Sequence, residues 1–157
     1  MNNADQVEYW NGPAGQKWVD QSDRLDAMLA PFADKVIAAA ALKSGESVMD
    51  IGCGAGALTL RAAAKVGAAH GALGVDVSAP LIALARARAA EAKLPARFEL
   101  ADASAFTAPD PVDIIISRFG VMFFEDPAAA FANIRQSVKP GGRLAFICWQ
   151  GLSGNDW

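Results

Sequence analysis

The chain has 157 residues, 53% of them hydrophobic and 20% charged, with a formal net charge of −3 at pH 7. That length accommodates one domain with a sizeable core, and the scattered basic residues of a mildly acidic chain argue against a nucleic-acid polyanion as the main partner. No apolar run approaches the ~20 residues of a membrane helix, and the opening residues MNNADQVEYW carry no secretory pattern. Cys53 and Cys148 have neither zinc nor redox spacing, so a reduced, cytoplasmic setting is expected.

Residues 5–41 lack strand signals and are expected to be helical. A helix begins over Gln6 to Asn11, Gly12-Pro13 interrupts it, and Leu25, Met28 and Leu29 recur at helical spacing until Pro31 breaks the pattern. A second helix is expected from about Phe32 to Leu42, closed by the turn Lys43-Ser44-Gly45-Glu46. From Ser47 onward strands and helices alternate. Strand one is Ser47 to Ile51, and its helix runs from about Ala57 to Val66, ended by Gly67. Strand two is Ala72 to Asp76; its helix has Ser78 as N-cap and Pro80 in the first turn, and ends near Lys93-Leu94-Pro95. Strand three covers about Arg97 to Ala101, and strand four, Val112 to Ser117, holds the continuous apolar run of a strand buried on both faces. Asp126-Pro127 caps a helix on which Phe131, Ile134 and Val138 share a face; Pro140-Gly141-Gly142 turns into strand five, Arg143 to Trp149. Repeated βαβ units predict an α/β fold with a doubly wound, mostly parallel sheet whose ligand sits beyond the C-terminal strand ends.

The stretch VMDIGCGAGALTL places Gly52, Gly54 and Gly56 between strand one and its helix, a turn that lets a ligand approach the backbone and face helix N–H groups. Gly52-x-Gly54-x-x-Ala57 also satisfies a loose dinucleotide fingerprint, so a nicotinamide or flavin cofactor is a competing reading. Asp50 weighs against it, because a carboxylate beside the turn would repel a pyrophosphate and suit an ammonium or sulfonium. The alternative role for Asp50 is to accept the glycine-turn amides. Asp76, ending strand two, is placed to accept ribose hydroxyls or to share an N-cap with Ser78. Asp102, ending strand three, is placed to accept the exocyclic amine of adenine, or is a plain turn residue. Three acids ending three successive strands are hard to ascribe to chance.

Together VMDIGCGAG, GVDVS, LADAS, VDIIISRFGVMFFEDP and KPGGRLAFICW resemble class I S-adenosylmethionine-dependent methyltransferases, and within them the small-molecule group of the ubiquinone/menaquinone-biosynthesis C-methyltransferases. The resemblance implies a Rossmann-like sheet of strand order 3-2-1-4-5 over residues 46–157, with residues 1–45 as an N-terminal helical cap. It implies S-adenosyl-L-methionine as cofactor. Asp50 with Gly52, Cys53 and Gly54 would hold the methionine end, Gly56 would belong to the same cofactor-binding turn, and Asp76 would bind the ribose. Val77 would pack on adenine, Asp102 and Ala103 would read its edge, and Ser117 with Arg118 would line the cleft. Tyr9, Trp10 and Trp18 would belong to the cap over the cofactor, or else anchor that cap to the core.

Strand four continues as Ser117-Arg118-Phe119-Gly120, not as the Asn/Asp-Pro-Pro-aromatic signature of nucleic-acid amino-methylating enzymes, and no carboxylate cluster for a metal follows it. Neither cysteine is placed as a nucleophile, and His70, before strand two, is on the far side of the sheet from the cofactor. The run Phe119, Val121, Met122, Phe123 and Phe124 is core or a floor for an apolar acceptor. The expected reaction is methyl transfer to a small, apolar or aromatic molecule by positioning, with no base evident. A non-catalytic cofactor-binding module is the alternative, and an NAD-dependent oxidoreductase a remote one. The family sheet has two further strands, so a shortened chain is expected. Its strand five, with Leu144, Phe146, Ile147 and Trp149, is then left open to edge-to-edge pairing with a second copy.

Overall fold

The computed structural model describes residues 3–154; residues 1–2 of the expected cap and 155–157 of the expected core lie outside the described residues. Three helices come first: α1 (Asn3–Asn11), α2 (Pro13–Asp20) and α3 (Ser22–Ala40). The alternating part follows as β1 (Val48–Ile51), α4 (Ala57–Val66), β2 (Ala72–Asp76), α5 (Ala79–Ala92), β3 (Ala96–Leu100), β4 (Val112–Arg118), α6 (Pro127–Ile134) and β5 (Val138–Ile147). The five strands form one sheet in the order β3-β2-β1-β4-β5, and every neighbouring pair is parallel. The expected sheet is therefore the observed one. Among the described residues no helix is long and apolar enough to cross a membrane.

The central strands β1 and β4 are buried on both faces, and the period of two along a strand divides their side chains between two cores. Val48, Ile114 and Ile116 pack with Val36, Ile37 and Leu58 from α3 and α4. Met49, Ile51 and Ile115 point to the other face, against Ile134 of α6 and Val121. Ile114, Ile115 and Ile116 are wholly buried, each worth about 1.5–3 kcal/mol in apolar transfer. β3 and β5 are the edge strands, and on β5 Leu144 and Phe146 are exposed.

Pro31 does not end a helix. It lies inside α3, which runs 19 residues without a break. An interior proline costs about 3 kcal/mol through a lost hydrogen bond and a clash. The cost is met by a continuous apolar stripe of Leu29, Ala33, Val36, Ile37 and Ala40, all buried, which only an unbroken helix can lay on the sheet. The second departure lies at β5. α6 ends at Ile134, a 3-10 turn covers Arg135–Ser137, and Val138 is already strand. Val138 pairs with Val112 and Arg143 with Ile114, so Lys139 to Gly142 bulge out opposite the single residue Asp113. The Pro-Gly-Gly turn is thus an irregularity within the strand, with Gly141 at φ +79°.

Ser78 stands at the N-cap of α5 but makes no side-chain cap bond. Its hydroxyl donates to the carbonyl of Trp10 at 2.7 Å instead. The capping is done from another helix: Asn11 Oδ1 accepts from Ala79 N at 2.9 Å while Asn11 Nδ2 donates to the Val77 carbonyl at 2.9 Å. By contrast Asp126 caps α6 as expected, accepting from Ala129 N at 3.0 Å.

Candidate functional site

A cavity of about 380 Å³ opens beyond the C-terminal ends of β1 to β4, under α1, α2 and the first half of α3. From β1 and its turn it is lined by Asp50, Gly52, Cys53 and Gly54; from β2 by Asp76 and Val77. Asp102 and Ala103 border it after β3, and Arg118 ends β4 against it. Trp10 and Trp18 close it from the helical side. The fold thus gathers residues from Trp10 to Arg118 at one edge of the sheet.

The turn after β1 is built by close approach. Gly52, at φ +64°, packs so tightly on Gly120 that a Cβ would stand 2.5 Å from the Gly120 Cα. Its amide donates to the Val75 carbonyl at 2.9 Å, binding the turn to β2. Gly54, at φ +53°, has nothing within 4 Å of a would-be Cβ and so faces open cavity. Its N–H donates to Asp76 Oδ2 at 2.8 Å, and Ser78 N–H donates to Asp76 Oδ1 at 2.9 Å. Asp76, not Asp50, therefore holds the glycine-turn amide. The same backbone bonds oppose the burial that raises the Asp76 carboxyl above its ordinary range.

Asp50 is a different kind of acid. It is 1% exposed, accepts Thr59 Oγ1 at 2.6 Å on Oδ2, and has no partner on Oδ1. Burial lifts its carboxyl from the ordinary range to about 7; the Thr59 hydrogen bond and the Arg118 charge pull it back, and the Asp76 charge adds to the rise. The expectation that it accepts turn amides does not hold. An unpartnered buried carboxylate oxygen costs free energy until a donor or cation meets it.

Asp102 is half-buried and well supplied. Ser104 N–H donates to Oδ1 at 2.8 Å, Ser104 Oγ to Oδ2 at 2.8 Å, and the side-chain amide of Asn3 also donates to Oδ2. The main-chain N–H of Asn3 donates to Glu125 Oε2 at 3.0 Å, so α1 is fastened across the cavity from both sides of its first residue.

Three expected site residues do not line the cavity. Ser117 is wholly buried and spends its hydroxyl on the Ile51 carbonyl at 2.7 Å, bonding β4 to β1. Gly56 faces inward, where a Cβ would meet Phe98 at 2.9 Å and Ala85 at 3.0 Å; its lack of a side chain lets α4 pack on α5 and β3. Tyr9 is 50% exposed and meets the cavity-lining Trp10 edge to face at 5.1 Å. A helical repeat separates one residue from the next by about 100°, so Tyr9 and Trp10 cannot share a face.

The wall opposite the acids is apolar. Trp10 meets Trp18 edge-on at 5.6 Å and Phe123 at 5.8 Å. Phe119 adopts φ +68°, rare for an aromatic, and its ring stacks on Trp149 at 4.7 Å with planes 3° apart. The run after β4 thus divides: Val121 is core, while Phe119, Met122, Phe123 and Phe124 border the cavity. Asn3, Asn11 and Thr59 were not anticipated. Thr59 had a signal, being a polar residue on the buried face Leu58, Ala62, Ala63, Val66 of α4. Asn3 and Asn11 had none beyond being amides in an exposed helix. No group of acids, cysteines and histidines suited to a metal occurs among the described residues.

A family model described as "Methyltransferase domain" matches residues 48–142, more than half of the chain. The chain belongs to the methyltransferase-domain family. Its sheet is the Rossmann-like one of the class I, S-adenosylmethionine-dependent branch. It is 34% identical over 131 residues to an uncharacterized protein of Mycobacterium tuberculosis, covering 83% of this chain and 47% of that one. It is 32% identical over 139 residues to a ubiquinone biosynthesis O-methyltransferase of Methylococcus capsulatus, covering 86% of this chain and 57% of the relative. The fold superposes on a candidate S-adenosyl-L-methionine-dependent methyltransferase of Methanococcus maripaludis with a TM-score of 0.70 at 27% identity, over 85% of this chain and 61% of that one. The chain spans about half the length of these two curated relatives.

Proposed function

We propose that the chain binds S-adenosyl-L-methionine across the ends of β1 to β4 and that the protein transfers its methyl group to a small apolar or aromatic acceptor. The observation that carries this reading is the placing of Asp50, Asp76 and Asp102 around one cavity, with a buried oxygen of Asp50 lacking a partner. A cationic adenosine compound fits that set, and a dinucleotide pyrophosphate does not. Bound there, the cofactor supplies a sulfonium methyl already activated for in-line displacement.

The chain's own residues do the holding. Gly54 leaves room for close approach along the turn, and Asp50 sits beneath it as counter-charge. Each Asp76 oxygen accepts one backbone amide and has a further lone pair for a ribose hydroxyl. Asp102 with the Ala103 amide addresses the adenine edge, beside Val77. Trp10, Trp18, Met122 and Phe123 form an apolar wall on which an apolar acceptor can lie. Among the described residues, the lining contains no histidine, lysine or tyrosine, so alignment and exclusion of water are the contributions assigned to it. α1 to α3 act in this reading as the cap, and the open β5 edge as a surface for pairing with a second copy.

Transfer of labelled methyl from S-adenosyl-L-methionine across a panel of phenols, quinols, amines and phosphorylated amines tests the reading. Label is expected in an apolar aromatic member and absent from the phosphorylated ones. Cofactor binding with no transfer to any apolar acceptor would contradict it.

A further inference from the structure

The apolar lining of the cavity has two parts. Trp10, Trp18 and Phe123 form one, drawn to the β2 side by the Ser78 hydroxyl that donates to the Trp10 carbonyl. The other lies past β4, where Phe119 and Trp149 border the cavity together. In the sheet order β3-β2-β1-β4-β5 the acids Asp102, Asp76 and Asp50 follow β3, end β2 and lie in β1. A ligand laid along them from adenine to sulfonium points its reactive end at β4 and β5. Phe119 follows β4 and Trp149 stands two residues past β5.

The Phe119–Trp149 pair is held rigidly and at a cost. Phe119 has φ +68°, a region that costs a non-glycine residue about 1–3 kcal/mol and persists only where the surroundings fix it. They do so on both sides. The Phe119 N–H donates to the Ile147 carbonyl at 2.9 Å, tying the end of β4 to the end of β5. The next residue, Gly120, is pressed so close to β1 that a Cβ would stand 2.3 Å from the Ile51 carbonyl oxygen. The strained backbone sets the Phe119 ring parallel to the Trp149 indole, 3° apart in plane. Phe32 of α3 braces both rings edge-on, at 5.4 Å and 5.3 Å.

A braced pair of this kind would be ordinary core if it were covered. Trp149 is 38% exposed, and Met28, which lines the same cavity from α3, is 61% exposed. Large apolar side chains exposed around one cavity mark a binding surface. A flat, fixed indole rewards a planar π-system placed against it more than a puckered aliphatic ring of the same size, and a thioether adapts to an aromatic face.

We infer that Trp149, aligned by Phe119 and braced by Phe32, determines acceptor specificity by packing against an aromatic ring of the acceptor. The inference rests on the methyl-transfer reading and narrows its acceptor from apolar or aromatic to planar aromatic. It assigns the place of that ring to the ends of β4 and β5.

Calorimetric titration of the chain saturated with S-adenosylhomocysteine, using 2-naphthol and its saturated counterpart decahydro-2-naphthol as probes, tests it. The wild type is expected to prefer 2-naphthol. Trp149→Leu is expected to lose about three- to tenfold in affinity for 2-naphthol, the worth of one aromatic pair. Its affinities for decahydro-2-naphthol and S-adenosylhomocysteine are expected to stay unchanged, the latter showing that the variant is folded. Trp149→Phe is expected to restore most of the preference. Equal losses for both probes, or no loss for 2-naphthol, would overturn the proposal, as would a wild type that binds the two probes alike. Absence of S-adenosylhomocysteine binding in the wild type would remove the cofactor reading and this proposal with it, a result distinct from the others.

Discussion

Thr59 donates its hydroxyl to Oδ2 of Asp50 at 2.6 Å, while Oδ1 of the same carboxyl is buried without a partner. One half of this acid is satisfied by the helix that follows it, and the other half waits. Burial raises the folded-state carboxyl to about 7, against ~3.9 in an unfolded chain. Between those values the folded chain binds the extra proton, so the stability conferred by this group is fully present below about 4 and is lost as pH rises to about 7. Urea unfolding of the ligand-free protein at pH 5, 6, 7 and 8 is expected to show that decline, and Asp50→Asn to flatten it. A decline of the same size in Asp50→Asn would assign it to other groups.

The sign reverses for cation binding. Asp50 faces Thr59, Arg118 and Asp76, and a cationic ligand favours its ionised form. Affinity for S-adenosyl-L-methionine is expected to rise with pH by up to about tenfold per unit below 7 and to level off above it. Titrations from pH 5.5 to 8.5 check this. A flat profile would separate Asp50 from the cation.

Asn3 offers Asp102 the same kind of donor that an adenine amine would offer, since its side-chain amide already sits on Oδ2. Asn3→Ala is expected to bind adenosine compounds about two- to tenfold more tightly, the worth of one hydrogen bond no longer displaced. Competition binding with adenosine reads the change; weaker binding would instead make Asn3 a support of the site.

Asn11 bridges the start of α5 with one accepted and one donated bond, to Ala79 and Val77. Asn11→Ala is expected to cost about 1–2 kcal/mol, as the loss of a helix cap does. Denaturant titration measures it, and protease nicking of α1 to α3 at unchanged core stability would locate the loss in the helices.

The alternation of strands and helices was legible because period, length and breakers agreed in the units up to β4, whereas the strand order came from the family resemblance and the start of β5 was misplaced. The helix ends were less legible. Pro31 signals a break locally, but the decision lay with five buried residues on one face of α3, a tertiary effect that local rules do not contain. The acids Asp50, Asp76 and Asp102 could be located because each falls at or within two residues of a strand's C-terminal end. What each accepts could not, since Thr59, Asn3 and the Gly54 amide reach them only in the folded chain. Ser117 and Gly56 show the converse: positions beside a site whose side-chain hydroxyl or missing Cβ serves strand and helix packing.

The central claim is that this edge of the sheet is a site for a cationic adenosine cofactor. Calorimetric titration of one preparation with S-adenosyl-L-methionine and with NAD tests it most directly. Saturable binding of S-adenosyl-L-methionine with no heat from NAD is the predicted result; binding of NAD with no response to the sulfonium compound would contradict it.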